Sequence, residues 1–95
     1  MADVTTVVDA VDRSRFEWVI DGHVAVVTYR RDGQTLWLDH AGVPAALGGR
    51  GLGSQLVERV LHIVRQRGER VVPVCSFIAA YIARHPEHTD LLARD

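Results

Sequence analysis

A single cysteine in 95 residues excludes an internal disulfide and points to a reducing, cytoplasmic compartment. No apolar run approaches the roughly 20 residues needed to cross a bilayer. The start, MADVTTVVDAVD, is acidic and lacks the basic-then-apolar order of a secretory signal. Concentrated positive charge is missing too. Eleven basic residues are spread along the chain against twelve acidic ones, for a net charge of −1. That leaves no electrostatic footprint for nucleic acid or for an anionic membrane. Metal ligands are sparse, since His85 and His88 straddle Pro86 with no third or fourth donor nearby in sequence. What remains is 47% hydrophobic and 24% charged, the composition of a globular chain with one core and no room for a second domain.

The first half of the chain reads as strands. Phe16–Ile20 leads through the turn Asp21-Gly22 into His23–Arg30, and a second turn, Asp32-Gly33, leads into Thr35–His40. The run Val4–Val8 is expected to add or extend a strand. Trp18 and Trp37, in different strands, are expected to pack the sheet. After Pro44 and Gly48-Gly49 the apolar spacing changes. Leu52, Leu56, Val57, Val60, Leu61, Ile63 and Val64 recur at helical intervals up to Arg67, and Gly68 is a ready stop. Val71–Val74 is then a short buried strand. Its Pro73 cannot donate to a ladder, so one side of the strand should be unpaired or splayed. Ser76 fits the N-cap of a second helix with Phe77, Ile78, Tyr81 and Ile82 on one face, ended by Pro86. Leu91 and Leu92 suit one more helical turn. The fold class is α+β: an antiparallel strand meander followed by helix, strand and helix.

The segment richest in chemistry is Leu47-Gly48-Gly49-Arg50-Gly51-Leu52-Gly53-Ser54, between a strand and the long helix. Glycines allow positive φ and close approach of a ligand to the backbone, and a helix start offers unpaired N–H groups to phosphate oxygens. Arg50 could add a charge-assisted contact. No Gly-Lys-Ser/Thr follows, so this is not a P-loop, and an antiparallel meander is the wrong context for a dinucleotide-binding turn. Cys75 lies where the short strand meets the second helix. It reads either as a thiol activated by a helix N-terminus or as a small buried apolar residue. His40, at the end of the third long strand, is placed beside the glycine turn. It reads as a catalytic group or as a hydrogen-bonded strand terminus. His23 and His62 read as surface positions.

These residues together carry a resemblance. His40-Ala41-Gly42-Val43-Pro44, Gly49-Arg50-Gly51-Leu52-Gly53, Val72-Pro73-Val74-Cys75-Ser76-Phe77, Tyr81-Ile82 and His85-Pro86-Glu87 are similar to the small YjdJ-type family of the GNAT acetyltransferase superfamily. The likeness covers a core of about residues 14–92 in a single domain spanning 1–95, a minimal GNAT fold. It implies acetyl-CoA as the cofactor, its pyrophosphate on Gly48, Gly49, Arg50, Gly51, Leu52, Gly53 and Ser54. Gly48 departs from the Gln or Arg usual there, and Arg50 would compensate. The pantetheine arm would run between the strand ending at Val43 and the strand ending at Val74. Cys75 would lie near the thioester, and Arg84 and His85 near the adenosine-phosphate end. His40 matches a family histidine, although Ala41 replaces the threonine that usually follows it.

The resemblance implies an enzyme that transfers an acetyl group to an amine, on a protein or peptide, through an acceptor side left open by the short chain. His40 or a water would act as base, or Cys75 as nucleophile. The alternative is a non-catalytic acyl-CoA-binding or sensing module. The expected form is a monomer or weak dimer with no nucleic-acid or membrane partner. The acceptor itself is not written in the sequence.

Overall fold

Residues 6–93 are described by the computed structural model of the chain. Five strands form one sheet in the order β1-β2-β3-β4-β5: β1 Val7–Ala10, β2 Arg15–Ile20, β3 His23–Asp32, β4 Thr35–Gly42 and β5 Arg70–Pro73. The first four are antiparallel neighbours, as two short turns require. At the β2–β3 turn Asp21 and Gly22 both have positive φ, 51° and 78°, which matches the right-handed twist of the flanking strands. Between β4 and β5 the 15-residue helix α1, Leu52–Gln66, crosses over, so β5 returns parallel to β4. Helix α2, Ser76–Arg84, follows β5. Positions 4 and 5 of the expected first strand lie outside the described residues, and β1 begins at Val7. Among the described residues no helix is long and apolar enough to cross a membrane.

Strand alternation sends one set of side chains to the helices. Phe16, Trp18, Ala25, Val27, Tyr29, Leu36 and Leu38 meet Leu56, Val57, Val60, Leu61 and Val64 of α1 and Ile78, Tyr81 and Ile82 of α2 in a single buried cluster. Each fully buried aliphatic side chain there contributes about 1.5–3 kcal/mol of apolar transfer. The alternate set faces the other way and has no layer over it: Val8, Val19, Val24 and Trp37 are exposed. Trp37 therefore does not pack a core. Arg30 covers its ring at 5.2 Å from the centroid and is itself held by Asp39 at 2.8 Å.

The β4–β5 junction is short. Pairing runs only from Thr35 opposite Arg70 to Leu38 opposite Pro73. A register shift between Thr28 and Tyr29 leaves Asp39 as an extra residue in β4, a bulge that bends and twists the strand just where β5 ends. On the other arm Val74 turns its amide back to the Val72 carbonyl, and the Cys75 amide makes the last link, 3.0 Å to the Leu38 carbonyl. Beyond it the chains part, and among the described residues Asp39–Gly42 have β3 on one side and no strand on the other. Pro73 sits comfortably here. Arg70 donates to Gln34 on the β4 side and Val71 accepts from Ala93 on the outer side, so by alternation the proline nitrogen faces outward. The N-cap of α2 is Cys75 rather than the expected Ser76, because the Cys75 carbonyl already accepts the Ala79 amide while its own φ and ψ remain extended.

Candidate functional site

The glycine turn folds as the start of α1. After a short turn at Ala45–Leu47, Gly49 and Gly51 take φ of 79° and 68°, values that β-carbons disfavour, and Gly51 is the N-cap. No side chain caps the helix, and its first turn holds no acidic residue. Helix-start amides and the positive end of the dipole are thus left for an external anion. Gly53 is small for a different reason. A β-carbon there would lie 3.1 Å from Cζ of Phe77, so the glycine lets the α2 ring lean against the first turn of α1.

Together these parts enclose a cavity of about 330 Å³ lined by Ala41, Val43, Leu47, Phe77 and the turn residues Gly48, Gly49, Gly51, Leu52, Gly53 and Ser54. Its size is at the lower end for small-molecule pockets. Most of the turn and Val43 are brought together as expected. Arg50 is the exception. Its guanidinium points away to the β2–β3 turn, where it meets Asp21 at 2.8 Å, and it does not line the cavity. Leu47, which opens the glycine segment, and Phe77, on the apolar face already assigned to α2, were not among the contacts expected from the sequence.

The strand fork presents different side chains to its two sides. Ala41 pairs with the buried Val27 and lines the cavity on the helix side. His40 pairs with Thr28 and lies exposed on the uncovered face. Its ring folds over Gly42, where a β-carbon would come within 3.1 Å of Nε2. Cys75 is half-buried at the inner corner of the fork, packed against the core and fixed through its backbone. His40 and Cys75 therefore flank the fork rather than line the glycine cavity.

Arg84 and His85 line a second and larger space, about 780 Å³, that runs along α1 and is bordered by Thr6 and Val7 as well as by α2. Ser54 borders both spaces. A polar cluster closes the floor of this groove. The Tyr81 hydroxyl donates to Glu58 at 2.5 Å, His88 Nε2 lies 2.8 Å from the same oxygen, and His85 stacks on Tyr81 at 3.9 Å. The Tyr81 hydrogen bond, followed by that of His88, holds the Glu58 carboxyl below its ordinary range against the effect of burial. Burial, with the Glu58 carboxylate beside it, pushes the Tyr81 phenol well up.

A profile of the family described as GCN5-related N-acetyl-transferase matches residues 15–91. The chain belongs to this family. Acetyl transfer is the family's general chemistry. Among solved structures the chain is similar to the NMR solution structure of a GCN5-like N-acetyltransferase candidate from Staphylococcus aureus. The TM-score is 0.71 at 25% identity, covering 98% of this chain and 91% of that one. No curated protein matches the chain at a significant level.

Proposed function

We propose that this GCN5-related protein binds acetyl-CoA and transfers its acetyl group to an amine on a peptide or protein, as a cytoplasmic enzyme of the small YjdJ-type branch that works as a monomer or weak dimer. One observation carries the reading. An uncapped helix start, an acid-free glycine turn and a strand fork open into the same cavity. The amides and dipole at Gly51–Ser54 suit a pyrophosphate, and the gap beside Asp39–Gly42 suits an extended arm that needs backbone partners.

Bound acetyl-CoA supplies an acyl group activated as a thioester. The chain's own residues do the rest. Phe77, Val43 and Ala41 keep water from the arm. His40, on the uncovered face, takes the proton that the amine loses as its nitrogen bonds the acetyl carbon and the carbon–sulfur bond breaks. Cys75 shapes the inner corner of the fork without bonding to the acetyl group. Arg50 acts on the turn through Asp21, fixing the loop rather than reaching for phosphate.

Thermal denaturation with and without acetyl-CoA tests the binding half. The wild type should be stabilised by mass action. Ser54→Glu, which puts an acid in the first helical turn, should fold normally because the dipole favours it, yet lose the ligand-dependent shift. A wild-type melting point indifferent to millimolar acetyl-CoA would refute the proposal. Acceptor-dependent release of CoA with lysine-containing peptides tests the transfer half, and tight binding without turnover would favour a sensing module instead.

A further inference from the structure

The uncovered face of the sheet carries His40 together with a strip of valines. Alternation places Val19 of β2, Val24, Val26 and Thr28 of β3, and His40 and Gly42 of β4 on that face, and none of them lines either cavity. The His40 ring lies over Gly42 with Val26 beside it. A β-carbon on Gly42 would meet His40 Nε2 at 3.1 Å and Val26 Cγ2 at 3.7 Å. Val26 pairs with Gly42, Val24 stands two positions along β3, and Val24 pairs with Val19. With about 4.8 Å between strands and about 3.4 Å per residue, the strip from the imidazole to Val19 runs for roughly 12 Å. Val19 and Val24 are exposed, and Val26 is half-buried.

Charge says what kind of segment suits that strip. The acids on and around the face are already engaged by arginine. Glu17 is held by Arg13 at 2.8 Å and by Arg15 at 2.7 Å, and Asp39 by Arg30 at 2.8 Å. Asp21, at the β2–β3 turn, is held by Arg50 at 2.8 Å. Asp32 also alternates onto the face, but at the far end of β3, roughly 20 Å from Val26. On the face itself three arginines thus meet two carboxylates. A cationic residue next to the reacting amine would find its partners taken and guanidinium groups nearby.

We propose that the acceptor amine is carried on an apolar, uncharged segment, about three aliphatic residues of which lie over Val26, Val24 and Val19 beside His40. Arginine-rich peptides and polyamines are correspondingly poor acceptors. The proposal rests on the acetyl-transfer reading, with His40 as its base, and adds the substrate class. Selectivity comes from two directions, since apolar contact favours the one segment and unanswered positive charge rejects the other.

The experiment is steady-state release of CoA from acetyl-CoA by the full chain with three acceptors. Two are N-acetylated peptides of equal length with a single lysine, flanked by valines in one and by arginines in the other, and the third is spermidine. The valine-flanked peptide should have a kcat/KM roughly tenfold above the other two, with the difference in KM. Val24→Asp and Val19→Asp, both at exposed strand positions, should keep the fold and the KM for acetyl-CoA. Each should narrow or reverse the order by weakening the valine-flanked peptide and improving the arginine-flanked one. A wild type that prefers arginine flanks or spermidine, or treats all three alike, overturns the inference alone, as do variants that leave the ratios unchanged. A wild-type dimer in sedimentation that Val24→Asp splits into monomers assigns the strip to a second copy and overturns it too. No release of CoA with any acceptor overturns the acetyl-transfer reading and this inference with it.

Discussion

From Thr35 to Leu38, β4 has β3 on one side and β5 on the other, and Leu36 and Leu38 are fully buried beneath the helices. From Asp39 to Gly42 the same strand keeps β3 but, among the described residues, has no strand on its other side. The residue types change at the same place. The sealed half carries two leucines and Trp37, whereas the open half carries Asp39, His40, Ala41 and Gly42, small or polar and only partly covered. A bulge in β4 itself and a proline in β5 mark the boundary. Packing fills one half, and the other keeps strand pairing on one side alone among the described residues. One strand thus divides a sealed stretch from an open one within eight residues.

The sharpest way to break that division is at His40. His40→Gln should lower acetyl transfer to a lysine peptide by about 100- to 10,000-fold while leaving the melting point and acetyl-CoA affinity nearly intact. Unchanged turnover would remove chemistry from the open half. Next comes the sealed half. Leu38→Ala should cost about 2–5 kcal/mol in denaturant unfolding, because it leaves a cavity under both helices. Gly42→Ala, four positions on, should cost under about 1 kcal/mol and displace the His40 ring, visible as a changed pH–rate profile. Similar stability losses at the two sites would erase the contrast. At the boundary, Cys75→Ala keeps the amide bonded to Leu38 and should cost only about 1 kcal/mol, with a modest fall in turnover. Mass spectrometry after mixing the wild type with acetyl-CoA gives a clean readout here, since no lysine can carry a stray acetyl group. A trapped acetyl-cysteine with a large loss of turnover in the variant would make Cys75 the nucleophile and move the chemistry inward.

The smallest effect concerns acid. Hydrogen bonds from Arg13 and Arg15 hold Glu17 at about 2 against an ordinary 4.5, and Arg65 holds Asp90 at about 2 against 3.8. Each carboxyl has a lower value folded than unfolded. Each therefore adds stability above its unfolded value and loses it as pH falls from about 4.5 toward about 2. Both groups are surface pairs, so the decline in melting temperature over that window should be shallow. A steep cooperative loss there would mean that buried groups dominate.

Much of the division was legible beforehand. The Asp-Gly turns give the hairpins because both positions tolerate positive φ, and the apolar spacing of α1 gives its buried face directly. Pro73 pointed to a strand free on one side, and the glycine run to a turn with positive φ leading into a helix start. What the sequence could not show depends on partners distant along the chain. The Asp39 bulge exists only relative to Tyr29. Arg50 looked free to meet a ligand until Asp21, 29 residues earlier, was brought beside it. Trp37 has the same local strand pattern as Trp18, and only the absence of a second helical layer separates an exposed ring from a buried one. The cap at Cys75 in place of Ser76 turns on a single hydrogen bond to the neighbouring strand.

Pro73 also has a consequence at the rim of the sheet. Unpaired outer strands invite a second chain to add itself by backbone pairing, which is how folded proteins begin to aggregate. Along the outer side of β5, Val71 is already occupied by Ala93, and the next position facing that way is a proline ring with no N–H to offer. The residue that ends β5 at the fork therefore also denies that stretch of the rim to intruding strands.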